Sequence, residues 1–213
     1  MSHTLHRRGT TDSLKNDYVI FAMSAKGINE AGSHVKLQRF LEIIRQFNPV
    51  NLGDMKTGNS FITSPETIIG NTKDTSIVHG VFDNREALIK ALKAVKEADL
   101  GVSVIISGLL DDVHECCRQA GVDRHTCETS LGIWGKTERL PDEDILRFTT
   151  MCGHGMVAFS LVKKMIEDIK AGRRTVREAA EELAKPCQCG VFNPSRAAAM
   201  LEEILCLWGV RIA

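Results

Sequence analysis

No apolar run in this 213-residue chain approaches the roughly 20 residues that a helix needs to cross a bilayer, so no membrane partner is expected. The N-terminal stretch MSHTLHRRGTTDSLKND has no apolar core segment of the export-signal kind, and residues 1–16 read as a flexible arm. Net charge is missing too: 27 Lys and Arg balance 27 Asp and Glu, without the basic excess that marks a nucleic-acid binder. Neither a G-x-G-x-x-G nor a Walker A sequence occurs, which leaves nucleotide binding unsupported. Internal repeats and low-complexity linkers are likewise absent. The seven cysteines are odd in number, and Cys116 and Cys117 are adjacent, which does not suit a secreted disulfide framework. A reducing cytoplasm is the expected location, where clustered cysteines are more often ligands or catalysts than cross-links.

What is present suffices for a substantial core, since 43% of residues are hydrophobic and 25% charged. The continuous apolar run Tyr18 to Met23 predicts a buried strand. A turn-rich loop, Ser24 to Gly32, leads into a helix over 35–47 with Leu37, Phe40, Leu41, Ile44 and Phe47 on one face. Strands are expected around Phe61–Ile62, over 77–82 and over 102–106, with a helix over 85–98 capped by Asp83. That order, β-α-β-β-α-β, predicts an α+β fold with a ferredoxin-like region over 17–140. The region gains a helix over 109–120 and a strand near Ser130 to Trp134. From Pro141 the pattern is helical. The main helix is expected over 156–171, Thr175 and Glu178 form a capping box for the next, and Asn193-Pro194 starts the last. The segment 141–213 therefore reads as a helical region, either continuous with the first or adjoining it. In the last helix Cys206 lies among Ile204, Leu205 and Leu207 and is expected in the core.

Two short motifs carry the chemistry: Met151-Cys152-Gly153-His154-Gly155 and Pro186-Cys187-Gln188-Cys189-Gly190. Both are glycine-containing turns expected just ahead of helices, where helix amides favour thiolate. Three thiolates suit a [4Fe–4S] cluster with one iron not held by cysteine, because full cysteine ligation uses four. Cys152, Cys187 and Cys189 are the expected ligands of that cluster. Its open iron would do Lewis-acid chemistry, a dehydration or sulfur removal of the lyase or desulfurase kind, on a small anionic substrate. His154 is the candidate acid/base. Lys26, Asn29, Ser33 and His34 in the first loop, and Ser107 at a strand end, are the candidate substrate-binding groups.

Two other accounts use the same residues. Cys152, His154, Cys187 and Cys189 form a Cys₃His set for zinc, which would make the protein a binding or regulatory module. Alternatively, Cys187 and Cys189 could act as an exchangeable pair in thiol redox or metal delivery. Burial as small hydrophobes is the plain alternative for any one cysteine. Oligomeric state is left open.

Overall fold

The computed structural model describes residues 7–129 and 132–208. Along the chain lie α1 (Thr11–Leu14), β1 (Tyr18–Met23), α2 (Ser33–Arg45), β2 (Asn51–Asp54) and β3 (Gly58–Asn59). There follow α3 (Pro65–Gly70), β4 (Ile77–Phe82), α4 (Arg85–Ala98), β5 (Ser103–Ser107) and α5 (Leu110–Ala120). After a single 3₁₀ turn at Thr137–Arg139 come α6 (Glu143–Thr149), α7 (Phe159–Lys170), α8 (Val176–Ala184) and α9 (Pro194–Leu207). The fold is α+β: a five-stranded antiparallel sheet with helices in the N-terminal part and a helical C-terminal part.

The sheet runs β3-β2-β4-β1-β5. β1 lies inside it, pairing Phe21 with His79 of β4 and with Ile105 of β5. It is covered on both faces, which explains a continuous apolar run where a half-exposed strand would alternate. Tyr18, Ile20 and Ala22 enter a core with Leu37, Phe40, Leu41 and Ile44 of α2, Leu88 and Leu92 of α4, and Val113 of α5. Val19, Phe21 and Val81 enter a second core with Phe148, Val162, Leu183, Leu201 and their neighbours in α6 to α9. The helical half therefore packs directly on the sheet. Among the described residues no helix is long and apolar enough to cross a membrane.

Several expectations shift. No strand forms at Phe61–Ile62; the chain instead pairs through Asn51–Asp54 and Gly58–Asn59, whose polar residues are buried and hydrogen-bonded. Asn84, not Asp83, caps α4, its side chain accepting from the Ala87 amide at 2.9 Å. The strand expected near Ser130 to Trp134 falls partly outside the described residues, and 132–134 is irregular. Cys206 is exposed, because it occupies the outer side of α9 while Ile204 and Leu205 turn inward. The capping box of Thr175 and Glu178 and the Asn193 cap form as expected.

Of the expected loose arm, residues 7–16 are fastened to the body. Asp17, only 2% exposed, accepts from Arg7 Nη1 on both oxygens at 2.5 Å, from Arg196 Nη1 at 2.8 Å and from Asn193 Nδ2 at 3.1 Å. A buried carboxylate is tolerable when its lone pairs are saturated in this way.

Candidate functional site

β2 and β3 are the platform on which the second cysteine turn sits. Asn59 Nδ2 donates to the carbonyls of Cys187 at 2.9 Å, Lys185 at 3.1 Å and Ala184 at 3.3 Å, satisfying the open C-terminal end of α8. Asn51 Nδ2 donates to the Phe192 carbonyl at 2.9 Å. Between them Gly53 lets the turn approach: a Cβ there would stand 2.6 Å from the Cys189 carbonyl oxygen and 2.9 Å from Gly190 Cα. Gly190 meets the same backbone from its own side and has φ +74°, so both glycines are sterically required.

The first cysteine turn continues from α6. The Cys152 amide bonds back to the Thr149 carbonyl at 3.1 Å, and Gly155 to the Cys152 carbonyl at 3.0 Å. α7 starts at Phe159 rather than near Met156, so the His154 turn is longer than its pattern predicts. This changes the electrostatic origin of the site. Cys152 and Cys187 follow the C-terminal ends of α6 and α8, where the helix dipole disfavours thiolate. The compensating donors come from the turns themselves. Backbone amides of Met156 and His154 bond to the Cys152 sulfur, that of Phe192 to Cys187, and that of Val191 to Cys189.

The three sulfurs and the imidazole meet. Cys187 Sγ lies 3.9 Å from Cys189 Sγ, Cys189 Sγ lies 3.7 Å from His154 Nδ1, and Cys152 is close enough to Cys187 for the two thiols to interact. The cysteines are buried and His154 is exposed, so the imidazole covers the solvent side. The contacts run in series, Cys152 to Cys187 to Cys189 to His154. Among the described residues no three His, Cys, Asp or Glu side chains are already gathered round one ion-sized point.

Charge is graded along the series. Cys189 is held below the ordinary thiol range, chiefly by its hydrogen bond with Cys187 and then, against burial, by the Val191 amide. At Cys187 the bond with Cys152 pulls downward, but the bond to Cys189, burial and the Cys189 charge together push the thiol up to about 12. Cys152 is pushed well above its usual value, first by its bond to Cys187 and then by burial. Of the three, Cys189 is therefore the thiol that gives up its proton most readily.

The other candidates lie elsewhere. Asp74, from the loop between α3 and β4, reaches the start of α2: its carboxylate accepts from the Gly32 amide at 3.0 Å, the His34 amide at 2.8 Å and His34 Nδ1 at 2.7 Å. Ser33 Oγ donates to the Asp74 carbonyl at 2.9 Å. Asn29 bridges the Ala25 amide, at 2.6 Å, and the Gly101 carbonyl, at 2.8 Å. Lys26 is exposed on the same loop. The amides expected to hold a substrate anion thus hold an anion of the protein itself, and α2 packs on the sheet face opposite the cysteines. Ser107 ends β5 opposite Val19. Cys116 and Cys117 are buried on the α2 face, and Cys127 is exposed.

Sequence reasoning missed Asn51, Gly53, Asn59 and Arg7. The only hint of the first three was a polar, glycine-containing stretch where a strand had to be. No protein-family model, curated protein or solved structure matches the chain.

Proposed function

We propose that this protein binds a single thiophilic metal ion, zinc, through Cys152, Cys187 and Cys189, with His154 as the fourth donor on the solvent side. The spacing of neighbouring donors carries the reading. Zn–S bonds of about 2.3 Å and Zn–N bonds of about 2.0–2.1 Å at tetrahedral angles put adjacent sulfurs about 3.8 Å apart and sulfur and nitrogen about 3.6 Å apart. The separations of 3.9 Å and 3.7 Å here suit such neighbours. Closure of the series around the ion is the rearrangement this reading requires. The amides aimed at each sulfur would offset the excess negative charge of three thiolates.

An exposed fourth donor can give way to a ligand from solvent, as catalytic zinc sites with three protein ligands allow. His154 could then act as acid/base toward a small anion, in chemistry of the Lewis-acid kind. A reducing, cytoplasmic setting suits thiols that must stay available as ligands.

A [4Fe–4S] cluster on the same three cysteines is the second reading, favoured by the amide-to-sulfur bonds typical of such centres. It would have to spread sulfurs that now touch, because each would bind a different iron. The N-terminal sheet is read as ferredoxin-like, supported by the order β2-β4-β1-β5 of its longer strands and by the intervening α2 and α4.

Anaerobic purification followed by metal and sulfide analysis tests these readings. One zinc per chain, no sulfide, and a cobalt derivative with thiolate-to-metal absorption are expected. Brown protein with iron and sulfide would transfer the site to the cluster. Failure to take up either from reconstitution mixtures would overturn both.

A further inference from the structure

The arm ahead of β1 does more than cover the body. Arg7 Nη1 binds the Asp17 carboxylate, while its Nη2 donates to the Val191 carbonyl in the second cysteine turn. The next residue reaches the first turn: the Arg8 amide donates to Thr150 Oγ1 at 3.1 Å, and its guanidinium pairs with Glu143 of α6 at 2.9 Å. Two consecutive residues therefore join the segment before Cys152 to the segment after Cys189.

The Arg7 contact is directed at the site. The Val191 carbonyl and the Phe192 amide belong to one rigid peptide plane. Arg7 binds the oxygen of that plane, and the Phe192 amide on its other edge interacts with the Cys187 sulfur. A cation on the oxygen fixes the plane's orientation and polarises its N–H toward the sulfur. Nor is Arg7 needed to neutralise Asp17, because Arg196 already pairs with that carboxylate at 2.8 Å and is itself 3% exposed. Two guanidiniums face one carboxylate, and Arg7 is the one that also touches the cysteine turn.

We infer that Arg7 is a positioning residue of the thiol site, holding the Val191–Phe192 peptide so that its amide supports Cys187 and the two cysteine turns stay in register. The metal-affinity part of this inference rests on the zinc reading; the strapping part does not.

The test compares full-length wild type with Arg7→Met, Arg7→Lys and, as a charge control on the opposite face, Arg39→Met. Zinc affinity is measured by competition with a chromophoric chelator. Cysteine alkylation by iodoacetamide is followed on metal-free protein by peptide mass spectrometry, and far-UV circular dichroism checks the fold. Arg7→Met is expected to keep its secondary structure, weaken zinc about tenfold, the scale of lost outer-shell support, and speed labelling of Cys187 and Cys189 severalfold. Arg7→Lys, able to reach one acceptor but not both, should fall between, and Arg39→Met should match wild type.

Unchanged labelling and unchanged affinity in folded Arg7→Met would overturn the inference. If wild type binds no zinc, the zinc reading fails alone, and faster labelling in Arg7→Met still supports the strap. If Arg7→Met does not fold, Arg7→Lys decides in the same way.

Discussion

The two faces of the sheet both bury cysteines, yet they treat them differently. Cys116 and Cys117 lie in the middle of α5, whose amides are committed to helix hydrogen bonds. Burial pushes both thiols up, and a hydrogen bond from Arg85 only partly offsets this at Cys116. Cys152, Cys187 and Cys189 lie in turns on the other face, where backbone amides remain to support sulfur. All five are almost fully shielded from solvent. The difference is whether the surrounding backbone has donors left over: of the five, Cys189 alone, in a turn, is held below the ordinary thiol value.

The strongest way to break this comparison is to remove one sulfur from each face. Cys187→Ala is expected to lose zinc affinity by more than about a hundredfold, beyond the scale of outer-shell losses, whereas Cys117→Ala should leave stoichiometry and affinity unchanged. Equilibrium dialysis with metal analysis checks both, and equal losses would refute the contrast.

The platform under the turn comes next. Asn59→Ala strips the donor from three carbonyls near the end of α8 and should cost about 2 kcal/mol, the scale of leaving a buried acceptor unpaired. Urea denaturation reads it, and a loss under about 0.5 kcal/mol would mean that water replaces the amide.

His154→Ala sharpens the distinction between buried and exposed donors. It should retain the metal on the three thiolates with weakened affinity while opening a coordination position to small anions. Cobalt absorption should shift on adding azide in the variant only. Complete loss of metal would make the imidazole as essential as the thiolates.

The smallest effect belongs to the helix-borne pair. Cys117 has its folded value raised, so above about pH 8.5, the ordinary thiol range, the unfolded chain loses protons that the native state keeps. Stability therefore falls as pH rises through that range. Cys117→Ala should cost about 1 kcal/mol at neutral pH, a common figure for a small buried side chain, and lessen the alkaline decline, to which Cys116, Cys152 and Cys187 still contribute. Denaturation midpoints at pH 7, 8, 9 and 10 measure the slope.

The sequence disclosed elements whose pattern is local. The stripe of α4, the capping box of α8, the Asn193-Pro194 start of α9 and the unbroken apolar run of β1 need only neighbouring residues to be read. The two cysteine turns were legible because glycine and cysteine were concentrated in them. β2 was not. Asn-Leu-Gly-Asp has little strand character, and it pairs because Asn51 and Gly53 serve a turn more than a hundred residues away, the Asn51–Phe192 bond spanning 141 residues. The same holds for Arg7, whose partner Val191 lies 184 residues on. At Cys152 the helix-end origin expected for thiolate stabilisation failed on the actual start of α7, and the supporting amides come from irregular backbone.

Those separations set an order of events. Closing a chain loop costs entropy that grows with the logarithm of its length, and contacts of long range form only after nearer ones have reduced that cost. The strap, the sheet platform and both turns are joined by some of the longest loops the chain can make. The strands of the sheet, with α2 and α4, come from residues that precede any site cysteine. On loop-closure grounds the thiol site belongs among the late contacts, and a chain whose second turn has yet to meet β2 carries its three thiols open to whatever ion or oxidant reaches them first.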